Sequence, residues 1–134
     1  MKRLRVFINH NARFSGGPKC LSNELRVLDW AHYPLQSLPS NFSGNKLVVF
    51  RMHNNPFKEM GGGRFQNMTI IDFSGSKFLT KIPDLSRSPN LKEVVLKSCT
   101  NLVEVHHSVG FLDKLVTLNC WIVLNLRAFQ KALS

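Results

Sequence analysis

The sequence predicts an α/β solenoid: about six coils stacked as a horseshoe, with a parallel β-sheet on the concave face and irregular or short helical returns. Two observations lead to this prediction. Apolar residues recur at fixed positions within a short unit, and such units follow one another along nearly the whole chain. The clearest unit begins at residue 91, and its apolar or cysteine positions are Leu91, Val94, Leu96, Cys99, Leu102 and Val105.

The same unit occurs six times, with starts at Leu4, Leu25, Leu47, Met68, Leu91 and Leu115. The starts lie roughly 21 to 24 residues apart, within the range of about 20–29 that is typical of leucine-rich repeats. At offsets 0, 3 and 5 from each start, 17 of 18 residues are apolar, and Asn9 is the exception. Because one unit cannot bury its own apolar face, we expect residues 1–134 to form a single leucine-rich-repeat domain.

Each unit is expected to open with a short strand, at Leu4–Phe7 in the first unit and at Lys92–Leu96 in the fifth. In the third unit, the Asn55 side chain is expected to hydrogen-bond the backbone of adjacent turns. The return of the fifth unit should place Val109 and Leu112 inward on a short helical turn. In the second unit, the residues expected to point inward are Trp30, Tyr33, Leu35 and Leu38.

The ends of the stack lack polar caps. The first strand starts almost at once, and the sixth unit keeps its inward positions at Val123, Leu126 and Phe129 before the chain stops. Solenoids need capping units to be soluble. We therefore predict that the chain is an uncapped fragment of a longer protein.

Charge and cysteine content bear on partners and compartment. The formal net charge of +10 favours acidic or anionic partners, or else a solvated basic surface whose acidic complement lies elsewhere in a larger protein. Cys20, Cys99 and Cys120 form no CxxC pair, which indicates a reducing compartment. Because no secretory signal is apparent, the glycosylation sequons at Asn41 and Asn67 are interpreted as chance matches.

No motif for catalysis, a metal or a cofactor stands out. The glycines of Gly61–Arg64 and Gly75–Lys77 lack the spacing of a phosphate-binding loop. His106 and His107 could suggest a metal site with Cys99, but adjacent histidines usually point apart and no zinc-type ligand spacing accompanies them. We therefore expect a protein that binds rather than an enzyme, with no catalytic, cofactor-binding or metal-binding residues.

A candidate protein-binding surface follows from the alternation of side chains along each strand. Offsets 2, 4 and 6 should point onto the concave face, where Arg51, at offset 4, should lie between Asp29 and Asp72. These three residues could form a local charge ladder of little energetic value or part of a recognition surface. The candidate contact residues on this face are His10, Asp29, Arg51, His53, Asp72, Lys97 and Trp121.

Several segments carry a resemblance to a known family. LRVLDW-x-x-YP, LPSNF, IPDLS-x-x-PNL and CTNLVEVH-x-SVG-x-LDKL resemble the first leucine-rich repeats of plant immune receptors of the Toll/interleukin-1-receptor, nucleotide-binding, leucine-rich-repeat class. The resemblance covers residues 1–118, and Trp121 and the residues after it depart from the family pattern. It implies an intracellular receptor whose other domains are not part of this sequence.

The resemblance also implies a function. Repeats of this class recognise pathogen effectors and restrain the nucleotide-binding switch, so the expected partner is a protein, either an effector or the receptor's own nucleotide-binding domain. The expected location is the cytoplasm or the nucleus, without membrane or nucleic-acid binding. The alternatives are an extracellular repeat receptor module, which a secretory signal would support, and a basic nucleic-acid-binding module, which steep salt dependence would support.

Overall fold

The computed structural model describes residues 2–12, 16–60 and 65–119. Within them, six short strands form one parallel sheet in the order β1-β2-β3-β4-β6-β8, and two strands form a second, two-stranded sheet, β5-β7. The strands are β1 Val6–Asn9, β2 Val27–Trp30, β3 Val49–Arg51, β4 Ile70–Asp72, β5 Lys81–Ile82, β6 Glu93–Val95, β7 Glu104–Val105 and β8 Thr117–Asn119. Each coil therefore contributes one strand to the large sheet, which confirms the predicted repeat solenoid.

The strand register stacks one buried residue from each coil into a column. Each residue of this column pairs with the next one on the neighbouring strand, in the order Phe7, Leu28, Phe50, Ile71, Val94 and Leu118. Side chains in the middle of the column are fully buried, while Phe7 and Leu118 at the two ends are half-buried. The offset pattern therefore predicted the hydrophobic core correctly, because stacked coils share one continuous interior.

Two positions depart from the expected pattern of inward apolar residues. Asn9 lies inward and is only 8% exposed, and its side chain forms two 3.0 Å hydrogen bonds with the backbone of Ala12, so its polar atoms are satisfied. The prediction that Leu35 points inward is wrong, since this residue is 38% exposed. It lies against Gly17 in the return of the first coil instead.

Aromatic rings fill the space between the sheet and the returns. Phe73 packs edge-on to Phe50 and Phe57, with ring centroids 5.2 and 5.9 Å apart, and Tyr33 packs edge-on to Phe57 at 5.6 Å. These contacts join the second, third and fourth coils. Edge-to-face pairs of this kind stabilise a core beyond the area they bury.

The returns are more regular than the sequence suggested. β5 and β7 pair in parallel, with Lys81 opposite Glu104 and Ile82 opposite Val105, on the side of the coils away from the large sheet. A 3-10 helix at His107–Phe111 confirms the predicted short helical turn of the fifth return, and Val109 within it is 3% exposed. This helix is the one helical element of the described ranges.

The predicted strand ends were less accurate. The first strand lies two residues further along than expected, because the register with Val27–Trp30 sets its limits at Val6–Asn9. The fifth repeat's strand is one residue shorter at each end, at Glu93–Val95. The predicted inward positions of the sixth unit from Cys120 onward lie outside the described residues.

Asn55 bonds backbone groups as expected, but these lie in its own coil, and its one bond to the next coil is to a side chain. Its side-chain amide donates hydrogen bonds to the backbone carbonyl of Met52 and to the Ser76 hydroxyl of the next coil, and its side-chain oxygen accepts one from the Phe57 amide at 2.8 Å. Asn55 is 3% exposed, so water cannot replace these bonds readily. The irregular turn depends on this residue for the pairing of its backbone groups.

Asn55→Ala is expected to destabilise the protein by about 2–3 kcal/mol, because the buried Met52 carbonyl and Phe57 amide would lose their partner. Urea denaturation followed by far-UV circular dichroism measures the change. Asn54→Ala is not a suitable control, since Asn54 has a positive φ of 56°. Asn101→Ala is a better one, because its amide donates to the Lys77 carbonyl at an exposed position. A similar loss in both variants would contradict the proposed role of burial.

Candidate protein-binding surface

Three columns of side chains cover the exposed face of the large sheet, which is the concave face of the horseshoe. They correspond to offsets 2, 4 and 6 of each repeat, and the register places equivalent offsets side by side. The offset-4 column runs Ile8, Asp29, Arg51, Asp72, Val95 and Asn119. The predicted position of Arg51 between the two aspartates is therefore confirmed.

The two aspartates pair with histidines of the preceding coil. His10 Nε2 lies 2.9 Å from Asp29 Oδ1, and His53 Nε2 lies 2.7 Å from Asp72 Oδ2. In both pairs the histidine is at offset 6 and the carboxylate at offset 4 of the next coil. The carboxylates are shielded, with side chains 11% and 13% exposed, while the histidines are 54% and 40% exposed. The histidines therefore cover the acids from solvent.

Asp72 is the more completely bonded acid of the two. Its Oδ1 accepts hydrogen bonds from the Ser74 amide at 3.0 Å and the Ser74 hydroxyl at 2.6 Å, and its Oδ2 contacts His53. Burial by itself would raise the pKa of the Asp72 carboxyl, but these hydrogen bonds outweigh burial and lower the pKa below its ordinary value. The ionised carboxylate is thus the form that the fold stabilises.

This lowered pKa makes a prediction about pH. A carboxyl whose pKa is lower in the folded than in the unfolded state stabilises the fold above its unfolded pKa, and the contribution is lost as pH falls through the folded pKa. The difference in urea midpoint between the wild type and Asp72→Asn should therefore be full near about pH 5 and shrink below 3.8, the ordinary value for aspartate. Asp113→Asn removes an exposed carboxylate and is the control. A difference that is independent of pH would contradict the prediction.

The aspartates do not form an ion-pair ladder with Arg51, one of the two arrangements compatible with the sequence. Arg51 is half-buried on β3, and its guanidinium makes no hydrogen bond or ion pair with any residue of the described ranges. Asp29 and Asp72 are paired with the histidines of the preceding coils instead. The centre of the concave face therefore presents a guanidinium whose donors are available.

The remaining predicted contact residues are Lys97 and Trp121. Lys97 is exposed at offset 6 of the fifth coil, immediately after the buried Leu96. Its side chain forms no ion pair within residues 2–12, 16–60 and 65–119. Trp121 lies outside the described residues. The structure thus places six of the seven predicted contact residues on one face.

An apolar column at offset 2 was missed in choosing candidate residues from the sequence. It runs along the same face as Val6, Val27, Val49 and Ile70, which pair in register on β1 to β4. Val6 is 51% exposed and the other three are half-buried. The signal was present in the sequence, because four consecutive repeats carry a β-branched apolar residue at an outward position.

The histidines of the fifth return form no metal site with the described residues. The expectation that they point apart is wrong: the rings of His106 and His107 stack with centroids 4.2 Å apart. Nδ1 of His106 accepts a hydrogen bond from the Ser108 amide, and the Cys99 thiol donates to the Phe73 carbonyl inside the core. Across the part of the chain that the structure places, no three His, Cys, Asp or Glu side chains are grouped to hold a metal ion.

The described residues also contain no helix with the length and apolar character needed to cross a membrane.

Comparison with curated proteins finds plant disease resistance proteins. The chain is 39% identical over 104 residues to Disease resistance protein RUN1 of Vitis rotundifolia, which covers 76% of this chain and 8% of that protein. It is 38% identical over 120 residues to TMV resistance protein N of Nicotiana glutinosa, covering 88% of this chain and 10% of that protein. It is 37% identical over 97 residues to Disease resistance protein RPS6 of Arabidopsis thaliana, covering 71% of this chain and 9% of that protein.

The chain thus spans about a tenth or less of the length of these relatives. No family model and no solved structure matches it.

Proposed function

Because this chain belongs to the leucine-rich-repeat part of the plant disease resistance proteins of the Toll/interleukin-1-receptor, nucleotide-binding, leucine-rich-repeat class, we propose that it is a protein-recognition module in plant defence. It senses a pathogen effector and restrains the nucleotide-binding switch of the receptor. Its activity is binding rather than catalysis, and it acts inside the cell, in the cytoplasm or nucleus.

The observation that carries this proposal is the exposed face of the six-stranded sheet. The convex side of the coils is occupied by the returns and by the small β5-β7 sheet, whereas the large sheet leaves one face uncovered by described residues. That face combines an apolar column with polar side chains, as protein interfaces do. Solenoids use their concave surface for binding in this way.

The proposal is tested by blocking the face without changing the core. Val49→Lys combined with Ile70→Lys places two charges on the apolar column, where both residues are half-buried. We expect this double variant to bind the nucleotide-binding domain of a receptor of this class at least about tenfold more weakly, since an apolar contact would be replaced by desolvated charge. Biolayer interferometry with the 134-residue chain measures the affinity. A two-hybrid screen against secreted pathogen proteins tests effector binding with the same variants.

The matched control carries the same two charges elsewhere. Phe78 and Val103 are 57% and 49% exposed and lie outside the six-stranded sheet, so Phe78→Lys combined with Val103→Lys should leave binding within about twofold. Equal losses in the two double variants would overturn the assignment of binding to the concave face. Wild-type binding to neither class of partner would overturn the proposed function itself.

A further inference from the structure

The concave face also specifies the chemistry of its partner. Given the proposed function, we propose that the third to fifth coils bind an acidic, extended segment of the partner protein, with one carboxylate on Arg51 and a second on Lys97. The apolar column beside them contacts the alternating apolar side chains of the same segment. The argument rests on which charged groups of this face are already bonded and which are not.

The acids of this face are already bonded by the protein's own donors. Asp72 accepts from the Ser74 amide, the Ser74 hydroxyl and His53, and Asp29 is paired with His10. Both carboxylates are shielded from solvent by their histidines. A partner cation would have to displace these bonds, and breaking them costs more than an exposed ion pair returns.

The cations of this face are not bonded within the described residues. Arg51 presents a planar guanidinium with five N–H donors, and Lys97 an ammonium with three. Arg51 is half-buried beside Val49 of the same strand, where a charge-assisted hydrogen bond is less screened than at a fully exposed site. A carboxylate fits the guanidinium in a bidentate arrangement, which is a strong polar contact for this group.

The positions of the cations set the spacing of the partner's acids. β3 and β6 are two strands apart in the sheet, and Lys97 is two positions further along its repeat than Arg51. Strands lie about 4.8 Å apart and rise about 3.3 Å per residue, so the two Cα positions are separated by roughly 12 Å. An extended peptide covers that distance in about three to four residues.

The remaining anion on this face lies apart from both cations. Glu93 is at offset 2 of β6, four residues before Lys97 on the same coil, and it is half-buried. The net charge of +10 on the whole chain further favours an acidic partner. A protein segment fits better than a nucleic acid, because none of the described residues at offsets 2, 4 and 6 is a Phe, Tyr or Trp on which a base could stack.

The test uses the 134-residue chain and labelled synthetic peptides. One peptide has four Glu-Ser-Val-Ser repeats, which place an acid at every fourth residue and alternate it with Val on the same face of an extended chain, and its partner has four Lys-Ser-Val-Ser repeats. Fluorescence anisotropy should show that the acidic peptide binds and the basic peptide does not. Arg51→Gln should weaken binding about tenfold or more, the range expected for losing hydrogen bonds to a charged group.

Two further variants separate a specific contact from general charge. Arg51→Lys keeps the charge but loses the bidentate geometry, so its affinity should lie between those of the wild type and Arg51→Gln. Lys97→Gln should weaken binding and should add to Arg51→Gln in the double variant. Lys58→Gln removes an exposed charge outside the large sheet and should change affinity by less than about twofold. Thermal melts by circular dichroism confirm that each variant is folded.

Several results would overturn the inference. One is an equal loss with Lys58→Gln, and another is tighter binding of the basic peptide or no binding of the acidic one. If a labelled oligothymidylate bound more tightly than the acidic peptide and its binding depended on Arg51, the partner would be a nucleic acid rather than an acidic protein segment. If Val49→Lys with Ile70→Lys abolishes binding of the receptor domain while Arg51→Gln has no effect on the acidic peptide, the proposed function stands and this inference fails.

Discussion

Leu96→Asp is expected to unfold the coils around it. Leu96 is completely buried in the fifth coil, and its amide donates a 2.7 Å hydrogen bond to the Asn119 carbonyl of the sixth. A carboxylate at this position would lie in an apolar interior with no cation to pair with, at a cost of several kcal/mol. That cost is comparable to the whole stability of a small domain, so loss of the folded signal is expected at room temperature.

The control for this variant is one residue away. Lys97 is exposed, so Lys97→Asp should change stability by no more than about 0.5 kcal/mol. The comparison is strict because both variants introduce the same residue at adjacent positions just after β6, one buried in the core and the other exposed. Far-UV circular dichroism during urea denaturation measures both. Similar melting curves for the two variants would mean that the repeat register is wrong.

The buried column was predictable because the core of a solenoid depends on spacing alone. Each coil returns to the same position after one repeat, so residues at equal offsets must stack, as Leu28, Phe50 and Ile71 do. The same reasoning placed Arg51 between Asp29 and Asp72. Even the polar Asn9 follows it, since the stack holds that residue inward and its side chain bonds the local backbone.

The pairing of side chains on the concave face was not predictable from spacing. The register gives the neighbours of Asp72 on adjacent strands, but it does not decide whether the carboxylate turns toward Arg51 or toward His53. That choice depends on side-chain rotamers and on the two hydrogen bonds from Ser74. The sequence held one signal for the histidine pairing. His10 precedes Asp29 by 19 residues, and His53 precedes Asp72 by the same number.

The structure of the returns also could not be predicted from the repeat spacing. The β5-β7 sheet forms where Lys81–Ile82 and Glu104–Val105 happen to run side by side, and each segment is too short to show a strand pattern. Leu35 was misplaced for a related reason. Coils of different length shift their return positions relative to one another, and Leu35 lies against Gly17 of the preceding return.

Phe73→Ala is expected to cost about 3–5 kcal/mol, the range for removing a buried aromatic ring. Phe73 is fully buried, and its ring contacts Phe50 and Phe57 of the preceding coil. Its amide and carbonyl also join coils, because the amide donates to Val95 and the carbonyl accepts from the Cys99 thiol. The backbone is held by these bonds, so it cannot collapse freely into the space that the ring leaves.

The exposed Phe78 of the same coil provides the comparison, since Phe78→Ala removes an identical ring that is 57% exposed and should cost less than about 1 kcal/mol. Because each coil contacts only its neighbours, the loss at Phe73 should appear as weakened coupling between the third and fourth coils. Hydrogen exchange at the Asn54 amide, which donates to the Ser74 carbonyl across that junction, should accelerate more than exchange at the Leu96 amide further along the stack. Uniform acceleration at both amides would show that the coils unfold together and that the nearest-neighbour description of this stack is wrong.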